Sequence, residues 1–233
     1  MKILAIETST MLGGVAIMDD SEGLVVEIRL NVKTAHSERL MTVIDHALRQ
    51  ADMTISDIDV FGVAIGPGSF TGLRIGLSTV KGLSFATGKP VVPVPTLEAF
   101  AWNFPYSAHP VCVMLDARKK EVYTAVFRWS DFGFKRVLEE RSVRPADLVK
   151  TLDGPVIFAG EGASLYKDSI LEIAGANAIF APKQDMVPSP ANVAFLGLRI
   201  AADRDVAEPM GLVPFYIRRS EAEIKKNSNS RKS

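Results

Sequence analysis

The sequence predicts an α/β protein of two duplicated lobes, each a mixed sheet flanked by helices. The first observation is that short apolar runs typical of buried strands alternate with segments of helical periodicity. The second is that each half of the 233 residues repeats one order: three strands, a helix, a strand, a helix, a strand and a helix. The third is the kind of connection between successive strands. Short turns join the first three strands of each half, which predicts antiparallel pairing, and helices join the later strands, which predicts parallel pairing.

In the first half, apolar runs bounded by turn residues predict strands at 2–7, 15–19, 24–30, 60–65 and 91–94. A helix is predicted at 36–53, because its apolar residues share one face. A longer helix begins near Phe70 after a Gly-Pro-Gly turn, with Ser69 as its N-cap. Gly88 and then Pro90 predict its end. With a short helix at 96–103, this lobe is predicted to span residues 1–105.

The second half repeats the pattern. Strands are predicted at 111–116, 122–129, 136–143, 156–159 and 179–181, and helices at 145–152, 165–173 and 190–203. This lobe is predicted to span residues 106–220. The remaining residues, 221–233, are polar and lack periodicity, which predicts a disordered tail.

The composition excludes several classes of protein. Lys and Arg number 27 and so do Asp and Glu, so no global basic field is available to bind nucleic acid unaided. The single cysteine, Cys112, lies in an apolar run, which suits a buried thiol in a reducing cytosol. No apolar run approaches the length of a membrane span, and the start lacks the apolar core of a secretion signal. We therefore expect a cytoplasmic protein with no membrane contact.

The helix at 70–88 is unusually apolar. At about 100° per residue, one stripe and the stripe roughly opposite it are both apolar or small, and only a narrow sector is polar. These three sets are, in turn, Leu73, Leu77, Val80 and Ser84; Ile75, Thr79, Gly82 and Ala86; and Arg74, Ser78 and Lys81. Gly72 and Gly76 leave a groove that another backbone could approach closely. The second face is covered either by another chain or by a second layer of this one, and the pattern leaves both open.

Three segments resemble the bacterial TsaB (YeaZ-type) family: ILAIETST at 3–10, GPGSFTGLRIGLSTVKGL at 66–83 and LDARKKEVYTA at 115–125. Their order and spacing extend the resemblance over nearly the whole chain. The resemblance implies the fold of the actin, sugar kinase and heat-shock ATPase superfamily, whose lobes are duplicated.

The resemblance also implies a function: a non-catalytic scaffold required to threonylcarbamoylate the tRNA adenosine next to the anticodon. Family members act with a catalytic paralogue, TsaD, and a small ATPase, TsaE. They meet tRNA through the complex and can form homodimers when alone. The family's contact surface uses the helices at 36–53 and 70–86. The partner interface expected here is Leu73, Arg74, Leu77, Val80, Lys81 and Ser84 with Leu40, Val43 and Ala47.

No metal site and no catalytic residue are expected. The catalytic paralogue carries a His-x-x-x-His metal motif just after the strand that follows this helix. The matching positions here are Thr96 and Phe100; a threonine hydroxyl is a poor ligand for a transition metal, and a phenyl ring is none. The histidines present, His36, His46 and His109, form no such pair.

The alternative function is a weak ATPase or small-molecule kinase of the same fold. In that superfamily, phosphates lie between two hairpin turns and a Gly-rich loop. The corresponding residues here are Thr8, Ser9, Asp116, Arg118, Gly160 and Gly162. The first turn lacks the usual glycine and basic residue, and GPGSFTG lacks the Lys-Ser/Thr ending of a phosphate loop. We expect no tightly bound cofactor, and ATP or ADP only within the complex.

Overall fold

Two five-stranded sheets with the same strand order form the two lobes. The computed structural model describes residues 1–31, 36–131, 133–203 and 208–218; the tail predicted at 221–233 lies outside the described residues. The first sheet has the order β3-β2-β1-β4-β5, with β1 Lys2–Glu7, β2 Leu12–Asp19, β3 Gly23–Asn31, β4 Val60–Gly66 and β5 Val91–Pro95. The second has the order β8-β7-β6-β9-β10, with β6 Val111–Asp116, β7 Val122–Ser130, β8 Gly133–Val143, β9 Val156–Ala159 and β10 Ala178–Phe180.

The pairing confirms the predicted mixed sheets and the duplication. In the first sheet β1, β2 and β3 pair antiparallel, and β4 joins β1 and β5 in parallel. The second sheet repeats this arrangement with β6, β7 and β8 antiparallel and β9 parallel to both β6 and β10.

Seven α-helices lie within the described residues: α1 His36–Gln50, α2 Phe70–Thr87, α3 Thr96–Ala101, α4 Pro145–Val149, α5 Glu161–Leu165, α6 Lys167–Ala174 and α7 Pro190–Ala202. The helix predicted at 165–173 is observed as α6, with bounds that differ by one or two residues, but the short helix α5 before it was not predicted. The two helices are separate because Tyr166 between them has φ −107° and ψ 21°, outside helical geometry. Within the described ranges, every helix is too short or too polar to cross a lipid bilayer.

Helices cover both faces of each sheet. Alternate residues of β1 point to opposite faces, as the two-residue period of a strand requires. Leu4 and Ile6 pack with α1 and α2, whereas Ile3 and Ala5 pack with α7. In the second lobe, one face of the sheet packs with α4 and α6, and the other packs with α3.

The strands of the two sheets fall within the predicted ranges 1–105 and 106–220, but the lobes exchange helices across that division. Val193 and Ala194 of α7 are buried against the first sheet, although they belong to the second half of the sequence. Leu97 and Phe100 of α3, from the first half, are buried against the second sheet. Sequence order alone gives no warning of this exchange, because an apolar helix face is equally suited to either sheet.

Candidate functional site: the outward face of α2 and the interlobe cleft

Local interactions fix both ends of α2. The Ser69 hydroxyl oxygen accepts a hydrogen bond from the Gly72 backbone N–H at 3.3 Å, as an N-cap does. At the other end Gly88 has φ 70°, the left-handed conformation that glycine adopts at little cost, and its N–H donates to the Ser84 carbonyl oxygen at 2.8 Å. The predicted cap and stop are both confirmed.

The glycine groove near the start of α2 is occupied by this chain's own backbone. A Cβ on Gly72 would lie 1.9 Å from the Thr8 carbonyl oxygen, and one on Gly76 would lie 2.5 Å from the Thr8 hydroxyl oxygen. The Thr8 hydroxyl in turn donates to the Gly72 carbonyl oxygen at 2.8 Å. These glycines therefore let α2 press onto the chain just after β1.

The stripe predicted to meet a partner faces inward instead. Leu73, Leu77, Val80 and Ser84 are all buried in the described chain, as are Leu40 and Ala47 of α1, while Val43 is half-buried. Leu77 and Val80 belong to the cluster that covers β1 and β4. Assigning this stripe to the partner surface was wrong, because the first sheet needs an apolar cover and this stripe supplies it. Among the predicted polar residues, Arg74 is exposed and Lys81 is half-buried, as Val43 is.

The outward face of α2, defined here as Thr71, Arg74, Ser78, Gly82, Phe85 and Ala86, is exposed. Phe85 is 88% exposed, an unusual state for a phenyl ring on a regular helix. The residues nearest to it on this face, Ser78, Gly82 and Ala86, are small, so the ring stands above a flat surface. On α1, which packs against α2, Met41 is also exposed.

Phe85 was not among the predicted interface residues, although its position in the helix carries a signal. At about 100° per residue, Phe85 falls in the narrow polar sector with Arg74 and Ser78. A large apolar ring in the polar sector of a helix has no core to enter. That position, more than the apolar stripes, indicates a contact surface.

A cleft of about 700 Å³ lies between the lobes, next to the start of α2. Thr10, Ser69 and Phe70 line it from the first lobe, and Asp116, Arg118 and Glu161 line it from the second, with further lining from Met11, Gly68, Thr71, Ala117, Tyr123, Leu165, Tyr216 and Arg218. Burial, and then the neighbouring Asp116 carboxylate, raise the pKa of Glu161. The cleft is therefore lined by acidic side chains, basic side chains and aromatic rings.

The structure brings two of the six predicted nucleotide contacts to this cleft. Asp116 and Arg118 line it, and they are paired with each other: the Arg118 backbone N–H donates to Asp116 Oδ1 at 2.9 Å, and Arg118 Nη1 lies 3.3 Å from Asp116 Oδ2. The other four predicted residues, Thr8, Ser9, Gly160 and Gly162, are buried.

Close contacts account for the burial of Thr8 and of the two glycines. Thr8 holds α2, as described above. A Cβ on Gly160, whose φ is 103°, would lie 2.2 Å from the Met114 carbonyl oxygen. The glycines at 160 and 162 thus let α5 approach β6 closely, which is a structural role.

Glu7, at the end of β1, is fully buried. Its Oε1 accepts a hydrogen bond from the Ser9 backbone N–H at 2.5 Å. Burial raises the pKa of this carboxyl to about 7, against the lowering effect of the Ser9 hydrogen bonds. The side chain does not line the cleft.

The positions that match the paralogue's metal motif have structural roles here. The Thr96 hydroxyl oxygen accepts a hydrogen bond from the Gly66 backbone N–H at 3.0 Å, and Phe100 is buried in the core of the second lobe. Among the described residues, no group of three or more His, Cys, Asp or Glu side chains is placed to hold a metal ion.

Comparison with known proteins gives similar chains over almost the full length. A family model described as TsaD, tRNA N6-adenosine threonylcarbamoyltransferase, matches residues 25–226. A Bacillus subtilis protein named tRNA threonylcarbamoyladenosine biosynthesis protein TsaB is 33% identical over 228 residues, covering 97% of each chain.

Solved structures agree. An uncharacterized Pseudomonas aeruginosa protein, described as similar to peptidase YEAZ, superposes with a TM-score of 0.81 at 26% identity, covering 93% of this chain and 99% of that one. A Listeria monocytogenes protein assigned as an N-acetylmannosamine kinase superposes with a TM-score of 0.50 at 10% identity, covering 86% and 100%. The second likeness is one of fold alone.

Proposed function

Because the chain belongs to the TsaB (YeaZ-type) family, we propose that it is a non-catalytic subunit of the tRNA threonylcarbamoyladenosine machinery. In this proposal it binds the catalytic paralogue, TsaD, through the outward face of α2 and keeps that paralogue competent. TsaE and tRNA bind to the complex of the two proteins, in the cytoplasm. ATP or ADP binds only within that complex. Without the paralogue, the same face supports self-association.

The observation that carries the proposal is Phe85, 88% exposed on the outward face of α2. Aromatic anchors beside small residues are typical of the central, fully desolvated part of an interface. A helix of 18 residues is roughly 27 Å long, so with α1 beside it α2 offers a contact surface of useful length. Phe85 would fill a pocket on the partner.

Catalysis is assigned to the paralogue. Supporting this, Thr96 and Phe100 stand where the paralogue's metal ligands would be. The first forms a buried hydrogen bond and the second packs in the core. Replacing either by histidine would place an imidazole among buried groups of the same chain.

The test is binding to purified TsaD by titration calorimetry. Phe85→Glu is expected to weaken affinity at least ~30-fold, about 2 kcal/mol, because a carboxylate replaces a ring that is desolvated in the complex. The matched control is Tyr106→Glu, which also replaces an aromatic residue, 80% exposed, but outside α2. If Phe85→Glu binds with wild-type affinity and its circular dichroism spectrum shows that it is folded, the interface lies elsewhere.

A second candidate, nucleotide binding by the isolated chain, rests on the interlobe cleft with Asp116 and Arg118 in its wall. Calorimetry with ATP and Mg²⁺ on the isolated chain tests it. Stoichiometric binding that is lost in Arg118→Ala, together with turnover, would support a weak ATPase or kinase. If ATP and Mg²⁺ give no detectable heat of binding, this candidate function is excluded.

A further inference from the structure

The last described segment, residues 208–218, lies along the first lobe before it reaches the second. The Lys81 ammonium donates to the Met210 carbonyl oxygen at 3.2 Å, which attaches the segment to α2. Leu212 packs against the buried cluster beneath α1 and α2. The Phe215 backbone N–H donates to the Ile65 carbonyl oxygen at 2.8 Å, at the end of β4. The segment is thus anchored to the first lobe at three separate points.

A stack of three side chains follows at the start of α2. The Tyr216 ring lies 5.0 Å from the Phe70 ring, centroid to centroid, at an angle of 24°. The Arg74 guanidinium lies 3.8 Å from the centroid of the same Phe70 ring, and its Nε donates to the Tyr216 hydroxyl oxygen at 3.1 Å. Phe70 and Tyr216 both line the interlobe cleft.

Two residues further on, the segment is attached to the second lobe. Arg218 Nη1 lies 3.0 Å from Glu121 Oε2, and Arg218 Nη2 donates to the Ala117 carbonyl oxygen at 2.9 Å. The Ser142 hydroxyl also donates to Glu121 Oε2, at 2.7 Å. The Ser142 hydrogen bond, and after it the Arg218 charge, hold the pKa of Glu121 below its usual value, so this carboxylate is ionised at neutral pH.

Two other crossings between the lobes are tied to each other. The chain passes from α3 to β6 through residues 102–110 and returns from β10 to α7 through residues 181–189. The Asn103 side-chain amide donates to the Val187 carbonyl oxygen at 2.9 Å and to that of Asp185 at 3.3 Å. Its oxygen accepts from the Asn192 amide at 2.7 Å. The paired crossings have the connectivity of a hinge.

We propose that residues 208–218 are a latch that sets how far the interlobe cleft opens. Tyr216 holds one end on α2, and Arg218 holds the other on the turn between β6 and β7. When Arg218 leaves Glu121, the lobes separate about the crossings joined by Asn103. The ion pair suits a releasable contact, because both side chains are about one-third exposed and exposed pairs are weak and screened by salt.

The test measures the distance between the lobes by electron–electron spin resonance. Spin labels go on Ser78→Cys in α2 and Ser164→Cys in α5, both exposed; the native Cys112 is buried and so stays unlabelled. Arg218→Ala is expected to shift the distribution to longer distances and broaden it. Glu121→Gln, which keeps the side-chain shape, is expected to do the same, and 1 M NaCl to do so in part for the unaltered protein.

The matched control is Arg141→Ala, an exposed arginine on β8 that touches neither the segment nor the cleft. Its distribution should coincide with that of the unaltered protein. If the distance distributions of Arg218→Ala and Glu121→Gln also coincide with that of the unaltered protein, the latch is overturned. If Arg218→Ala does not fold, Glu121→Gln alone decides the test. The measurement uses the isolated chain, with the doubly labelled protein diluted into an excess of unlabelled protein, so that self-association through α2 adds no distance between molecules and the outcome is independent of partner binding.

Discussion

The two lobes place a helix at the same point of the same fold, and the two helices differ. In the first lobe α2 follows β4, and in the second α5 follows β9. Both begin on glycines pressed against the first strand of their sheet or the turn after it. A Cβ on Gly72 would lie 1.9 Å from the Thr8 carbonyl oxygen, and one on Gly160 would lie 2.2 Å from that of Met114. The sheet therefore imposes the same close approach on each lobe.

Beyond that approach the helices diverge. The first, α2, runs for 18 residues and exposes Phe85, whereas α5 ends after five residues at Leu165. In the first lobe α1 and α2 together cover this face of the sheet, whereas in the second lobe the shorter helices α4, α5 and α6 share that cover. A long helix at this point is thus one way to cover such a sheet, and the fold does not require it. This difference supports a role for the outward face of α2 beyond folding.

The largest expected effect is a difference in stability between substitutions on the inward and outward faces of α2. Leu77→Ala removes buried methyl groups from the first lobe and should lower the free energy of unfolding by about 2–5 kcal/mol. Phe85→Ala removes a ring that is already in water and should change it by less than about 0.5 kcal/mol. Urea denaturation of the two variants measures both values. Equal losses would mean that Phe85 is buried in the folded chain in solution.

The next effect compares the acids that end the first strand of each sheet, Glu7 and Asp116. The folded-state pKa of Glu7 is raised to about 7 from 4.5, so the native state holds its proton more tightly than the unfolded state. The resulting stability is fully present below pH 4.5 and is lost as pH rises through 7. Glu7→Gln should remove this loss.

The measurement is the difference in unfolding free energy between Glu7→Gln and the unaltered protein at several pH values. It should move in favour of the variant by on the order of 3 kcal/mol between pH 4.5 and 8, since one pKa unit corresponds to about 1.4 kcal/mol. Asp116→Asn is the matched substitution in the second lobe, where the acid lines the cleft, and the same measurement on it allows the two acids to be compared. A constant difference for Glu7→Gln would show that Glu7 is not buried in solution.

The smallest effect uses two glycines near the end of α2. Nothing lies within 4 Å of a Cβ at Gly82, so Gly82→Ala should stabilise the isolated chain by about 0.5–1 kcal/mol through helix propensity. Gly88 has φ 70°, so Gly88→Ala should destabilise it by about 1 kcal/mol. Thermal unfolding compares them. Destabilisation by Gly82→Ala would indicate that the outward face is already covered.

Much of the fold could be predicted from the sequence. Alternating and continuous apolar runs gave strands such as Lys2–Glu7 and Val111–Asp116 with their observed bounds. Ser69 and Gly88 marked the ends of α2, because capping depends on a few neighbouring residues. The repeated order of elements predicted the duplication, since local connections determine strand direction.

The orientation of α2 and the exchange of helices could not be predicted. The stripes that contain Leu73 and Ile75 are both apolar, so the pattern does not say which of them packs on the sheet. Only the position of the sheet decides it. The destinations of α3 and α7 depend on contacts between residues far apart in sequence, which a local pattern does not encode. The same is true of Arg218 and Glu121 across the cleft.

The most direct test of the central claim, that the outward face of α2 binds the catalytic paralogue, compares the two equivalent helices by photo-crosslinking. p-Benzoylphenylalanine is placed at Phe85 of α2 or at Leu165 of α5, both exposed, and each protein is irradiated with purified TsaD. We predict a crosslinked heterodimer from position 85 and none from position 165. Crosslinking from position 165 with none from position 85 would contradict the account.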